Sequence, residues 1–197
     1  MIYGTHNSAT YANVVWWQYP FKWLSNLTSK CQSLSIKQQL EKNTKVFNFQ
    51  VVYYKKNWYI SHGLFIYNIK LLDILKLLKQ ESNENNKLYF QLYLDKNFII
   101  GQDIERFKVL LALIQAKYVD DNLRLTTCWI EGSDSYLYGE ALPFTYSEHY
   151  WSKGWSRLYS VNIIDKIPLP KRWAKKHNNA IRFTTKNDCA MLDFIEL

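Results

Sequence analysis

Cysteine is scarce in this chain: Cys31, Cys128 and Cys189 are scattered over 197 residues. An odd number at such spacing does not suggest a disulfide framework. No Cys-x-x-Cys or Cys/His spacing gives reason to expect zinc, so three reduced, buried thiols are expected. Long apolar runs are missing too. None approaches the roughly 18 residues of a membrane-spanning helix, and no basic segment leads into an apolar stretch at the start. Neither a transmembrane segment nor a signal peptide is therefore expected, and the chain reads as cytoplasmic or packaged in a particle. Internal repeats, linkers and known nucleic-acid motifs are also lacking, so nucleic acid is not an expected partner. Acidic residues are the minority, 17 against 25 basic ones, for a net charge of +8. That excess favours anionic partners, namely phosphate esters, an anionic lipid surface or nucleic acid, and charge alone does not choose among them.

What the chain has is aromatic and apolar mass. Aromatic residues make up 17% and hydrophobic ones 48%, which argues against disorder and for a sizeable core. One domain over residues 1–197 is expected. Ile2-Tyr3 is a short apolar start that breaks at Gly4. Residues 9–30, rich in Trp and Tyr and interrupted by Pro20, read as loop with short helical pieces. Ser35 is a suitable cap for a short helix over 35–43. "KVFNFQVVYY" and "NWYISHG" read as strands separated by a turn at Lys55-Lys56-Asn57. "NIKLLDILKLLKQ" has helical spacing with Asn68 as cap, and "DIERFKVLLALIQAKY" is the clearest amphipathic helix. "KLYFQLYLD", "NLRLTTCWIEG" and "CAMLDFIEL" read as further strands. The alternation predicts an α/β fold with a largely parallel sheet. At this length a closed barrel is compact, with some helices replaced by loops.

Histidine is rare, and two of the four, His6 and His62, each end a short strand beside small residues. On one face of a barrel, two such histidines suit a general base and a general acid. In this setting "GTHNS" (4–8) resembles the first catalytic motif of the phosphatidylinositol-specific phospholipase C family, the X-domain. "KVFNFQV" resembles that family's second strand, "WYISHG" the strand that ends in the second catalytic histidine, and "CAMLDFIEL" the last barrel strand. The resemblance covers residues 1–95 and 188–197; between them it rests on element order alone.

The resemblance implies a distorted TIM-type (β/α) barrel and cleavage of a phosphodiester by two histidines. His6 would be the base that activates the hydroxyl next to the phosphate, and His62 the acid that protonates the departing diacylglycerol oxygen. Asp193 would orient His6 and stabilise its charged form. Asn7, Asn48, Gln50, Tyr93 and Trp155 would line the substrate.

This chain departs from the family at its charged positions. Bacterial members carry Asp where Asn7 stands and Arg where Gln50 stands. Metal-dependent members do carry Asn at the position of Asn7, as a calcium ligand, but carboxylates at the positions of Asn48 and Gln50; Tyr93 falls where a Glu or Lys is usual, with Asp95 on the same strand face. Neutral amides are poor calcium ligands, so no metal and no other cofactor is expected. Lys153, Arg157 or Arg182 could replace the missing cation.

Residues 133–179 lose periodicity. "PFTYSEHYWSKGWSRLY" mixes aromatic and basic residues, which suits a lipid surface or stacking on a sugar ring. "PLPKRWAKKHNN" adds a basic run. Two functions follow. One is a metal-independent phospholipase C-like phosphodiesterase acting on phosphatidylinositol or another phosphodiester headgroup. The other is a catalytically degenerate X-domain that serves as a structural, assembly or lipid-binding protein, with protein partners.

Overall fold

The first strand, β1 (Ile2–Thr5), is short because the backbone turns immediately after it. Asn7 takes φ 43°, a left-handed conformation that asparagine enters more readily than most side chains. A computed structural model describes residues 2–95, 103–130, 136–139, 171, 174–175, 189–192 and 195–196. After β1 come a 3-10 turn (Trp16–Phe21), α1 (Lys22–Thr28) and α2 (Ile36–Glu41). Ser35 caps α2 as expected, in a reciprocal capping box with Gln38.

Three strands follow: β2 (Thr44–Tyr54), β3 (Asn57–His62) and β4 (Phe65–Lys70). The sequence reading missed β4 and took Asn68 as a helix cap. Phe65, Ile66 and Tyr67 instead favour a pleated surface, β4 pairs antiparallel with β3, and the Asn68 N–H donates to the Asn13 carbonyl. Helix α3 (Leu71–Glu81) begins after it with Lys70 at its cap position. Then come β5 (Leu88–Leu94), α4 (Asp103–Lys117), β6 (Leu123–Ile130), β7 (Tyr136–Gly139) and β8 (Cys189–Leu192).

The eight described strands form one mixed sheet. Parallel pairs join β8 to β1, β1 to β2, β2 to β5 and β5 to β6, as alternation predicts. The hairpins β2–β3, β3–β4 and β6–β7 are antiparallel, a departure from the parallel expectation. The last strand lies beside the first, in register from Ile2 opposite Cys189 to Thr5 opposite Leu192.

The two faces of the sheet differ chemically. Phe47, Phe49 and Val51 of β2 and Phe90, Leu92 and Leu94 of β5 point one way. They share a core with Leu71, Ile74, Leu75 and Leu78 of α3 and Phe107, Leu110 and Ile114 of α4. Those helical residues recur at the spacing of one helix face. Alternate residues of the same strands, Asn48, Gln50, Gln91 and Tyr93, occupy the other face and are also buried. Burying amides is costly unless they are hydrogen-bonded, so this face is a polar interior held by specific partners.

One edge of β2 positions the site. Its other edge is taken by β5 from Val46 to Val51. On the free-running edge, β1 pairs in parallel with Thr44–Phe47, and β3 pairs antiparallel with Val51–Tyr54. The two strands approach from opposite directions and stop facing each other across Asn48–Gln50. His6 follows the end of β1, and His62 is the end of β3.

Candidate active site

The abutment of β1 and β3 brings the two histidines together. Their ring centroids are 5.7 Å apart and the planes meet edge to face at 85°. Both residues are half-buried. The sequence reading expected parallel strands to deliver both. In fact His62 arrives on an antiparallel strand, after a two-residue turn at Lys55-Lys56.

Each ring is held by a different kind of group. The Nδ1 of His62 lies 2.6 Å from the Ser29 carbonyl. A carbonyl only accepts, so Nδ1 carries a proton and donates it there, leaving Nε2 as the nitrogen that exchanges protons. The Cys31 thiol is 3.6 Å from the same Nδ1. Gly63, with φ 61°, makes this approach possible: a Cβ there would come within 3.3 Å of Ser29 Oγ.

The His6 ring meets Asn7. The Asn7 Nδ2 lies 2.9 Å from His6 Nε2, while its Oδ1 accepts a 2.8 Å hydrogen bond from the Tyr93 hydroxyl. With that amide orientation, Nε2 of neutral His6 accepts and Nδ1 carries the ring proton. Tyr93 is itself fixed by stacking on Trp129, with centroids 4.6 Å apart and planes 9° from parallel. Burial, and then the charge of His62, hold the His6 pKa well below the ordinary histidine value. His6 is therefore neutral near pH 7, the state a base requires.

Behind the histidines the amides bond one another. The Asn7 N–H donates to Asn48 Oδ1 at 3.3 Å, and Asn48 Nδ2 donates to Gln91 Oε1 at 3.2 Å. Ser8 bonds both ways to the Asn48 backbone, its N–H to the carbonyl and its Oγ from the N–H, each at 2.9 Å. Gln50 is opposite Tyr93 in the β2–β5 register. The side-chain oxygens of Asn7, Asn48, Gln50 and Gln91 are all neutral amide oxygens, weaker ligands for a hard cation than carboxylates. Those of Asn7 and Asn48 are already engaged, and no cluster of His, Cys, Asp or Glu suited to a metal occurs among the described residues.

Of the residues singled out in the sequence, His6, Asn7, Asn48, Gln50, His62 and Tyr93 thus converge. Asp193, Trp155, Lys153, Arg157 and Arg182 lie outside the described residues, as does nearly all of 133–179. The carbonyl of Leu192, the residue before Asp193, accepts the His6 N–H at 3.1 Å. Sequence reasoning missed Gln91, Cys31, Gln32 and the Ser29 carbonyl. Gln91 could have been found as the same-face neighbour of Tyr93 two residues earlier, whereas a backbone carbonyl has no sequence signature.

No family model matches the chain, and no curated protein does. Solved structures do match. The phosphatidylinositol-specific phospholipase C from Listeria monocytogenes aligns with TM-score 0.58 at 18% identity, over 98% of this chain and 87% of that one. The fold is phospholipase C-like. A double mutant of the S. aureus phosphatidylinositol-specific phospholipase C gives 0.58 at 11% identity, over 98% and 84% of the two chains. A single mutant of that enzyme gives 0.59 at 12%, over the same shares. At such identities the likeness shows the fold alone: an α/β barrel of the TIM type, here distorted, with the described sheet open.

Proposed function

We propose that this chain is a metal-independent phosphodiesterase of the phospholipase C type. It cleaves a phosphodiester that has a hydroxyl next to the phosphate, as in phosphatidylinositol. The observation that carries the reading is the edge-to-face pair of His6 and His62, 5.7 Å apart at the junction of two abutting strands. In the reaction, the substrate hydroxyl replaces the Asn7 amide at His6 Nε2 and gives its proton to that nitrogen. The freed oxygen attacks phosphorus. As the phosphorus–oxygen bond to the lipid breaks, His62 Nε2 delivers a proton to the departing oxygen. The Ser29 carbonyl keeps His62 in the required orientation. Asp193 would accept from His6 Nδ1 and steady its charged form.

A lipid surface is the partner this reading calls for. Trp16, Trp17, Tyr19, Phe21 and Trp23 are all exposed on the 3-10 turn and α1. Lys55 lies over the Trp16 ring and Lys22 over the Tyr19 ring. Gln18 ties this turn to the backbone of Leu64 and Ile66, just past His62. No Asp or Glu occurs in the first 40 residues. Exposed tryptophans with lysines and no acid suit an interface with anionic headgroups.

One observation favours a second reading, a degenerate domain used for binding or assembly. Asn48 and Gln50 put neutral amides at positions where the resemblance leads one to expect charge, and buried Gln91 beside them is neutral too. Losing one preorganised stabiliser typically costs about 10²–10³ in rate. Assay of phosphatidylinositol vesicles separates the two. The catalytic reading expects turnover that survives a chelator, disappears in His6→Ala and in His62→Ala, and rises in Gln50→Arg. Absence of turnover in both the wild type and Gln50→Arg favours the binding role.

A further inference from the structure

We infer that Gln32 is the positioning residue of this site: its buried carboxamide clasps the carbonyl of His6 to the end of the last strand. Gln32 is fully buried. Its Nε2 donates to the His6 carbonyl at 3.2 Å and to the Leu192 carbonyl at 2.9 Å. Its Oε1 accepts from the Ile195 N–H at 3.3 Å. One side chain thus satisfies three backbone groups, all at the place where β1 and β8 end. The backbone beside it is anchored as well, because the N–H groups of Cys31 and Gln32 both donate to Thr10 Oγ1, at 2.9 and 3.2 Å.

The placement explains how two histidines on separate strands keep one geometry. Segment 29–32 reaches both. Its first residue holds the His62 ring through a carbonyl, and its last holds the His6 backbone through an amide. β1 is only four residues long, and its ladder to β8 ends at Thr5 opposite Leu192. Beyond that point the His6 N–H bond to Leu192 and the Gln32 clasp fix the chain that carries the base. An apolar residue of equal length at position 32 would leave the His6, Leu192 and Ile195 groups to find other partners. Misplacement of about 1 Å at such a distance from the chemistry is enough to cost about a hundredfold in rate.

The catalytic part of this inference rests on the two-histidine reading, but its test does not. The ring nitrogens of His6 and His62 are followed by 15N-correlated NMR in the wild type, Gln32→Met and Gln32→Asn. The described titratable groups that meet the His6 side of the site are His62, Cys31 and Tyr93, and none is altered by either substitution. Gln32→Met should admit water and move the His6 titration upward, towards the ordinary histidine value, with a smaller move in Gln32→Asn. In the wild type, the Gln32 carboxamide protons should exchange about a hundredfold more slowly than those of exposed glutamines. If turnover is detected, kcat should fall about tenfold to a hundredfold in Gln32→Met with KM little changed. An unchanged His6 titration in the folded variants overturns the assignment, and so does fast carboxamide exchange in the wild type, which can be read even if the variants do not fold. Absence of phosphodiester turnover in both the wild type and Gln50→Arg refutes the catalytic reading and leaves the NMR result to decide on Gln32.

Discussion

At the scale of single residues, His6 is held by groups that resist its protonation. Burial removes water, His62 adds like charge, and the Asn7 amide occupies Nε2 as a neutral donor. The consequence for stability has a definite sign. Unfolded, a histidine titrates near about 6.5; in the native state His6 does so well below its usual value. Between the two values the unfolded chain takes up a proton that the native chain does not. Stability should therefore fall as pH drops below about 6.5 and stop falling on this account below the native value. Urea midpoints measured across that window should show the slope, and His6→Gln should reduce it; an unreduced slope would assign the proton elsewhere. Of the residues in the site, the histidines were legible because a histidine at a strand end in a Gly-Thr-His-Asn-Ser setting is chemically specific. Tyr93 was legible only by position. Its stacking on Trp129 and its bond to Asn7 depend on the register between strands, which a sequence does not display.

At the scale of elements, the β2–β3 hairpin delivers His62, and its turn is strained. Lys55 and Lys56 have φ 45° and 61°, the paired left-handed geometry of a type I′ turn, where Asn-Gly is favoured. Lys55 repays its conformation by lying over the rings of Trp16 and Tyr54. No ring contact of that kind is made by Lys56 among the described residues. Lys56→Gly should therefore stabilise the protein by about 1 kcal/mol, read as a higher urea midpoint with the histidine geometry intact. A lower midpoint would show that Lys56 contributes something its backbone angle conceals. Strong periodicity made α3 and α4 legible, and Ser35 announced α2. Strand β4 was not, because "FIYNIK" runs directly into α3 with no glycine or proline to divide them. The antiparallel course of β3 depends on a two-lysine turn that carries none of the usual hairpin signals.

At the scale of the whole molecule, the aromatic turn at 16–23 and the histidine pair lie on connected backbone, joined through Gln18 to the stretch just after His62. The sequence reading placed its lipid-facing rim at residues 143–159, outside the described residues, and gave 9–30, read as loop with short helical pieces, no role at a lipid surface. The absence of acid from the first 40 residues was the signal that could have pointed here. Exposure is 74% for Trp16 and 65% for Trp23, so either can enter an interface without unfolding anything. Trp16→Ala and Trp23→Ala should each weaken partition onto phosphatidylinositol-containing vesicles about tenfold or more, with unfolding midpoints little changed. Unaltered partition would remove this face from membrane contact. The α/β class was legible from element order and the barrel from the resemblance carried by "GTHNS" and the strand motifs, while the polar interior became visible only once β2 and β5 were placed in register. The most direct test of the two-histidine assignment follows the phosphorus itself. Phosphatidylinositol vesicles incubated with the wild-type protein and a chelator are monitored by 31P NMR. A five-membered cyclic phosphate should form first, because the neighbouring hydroxyl is the nucleophile, and His6→Ala should abolish it. A phosphomonoester formed with no cyclic precursor, or a cyclic product that persists without His6, would contradict the assignment.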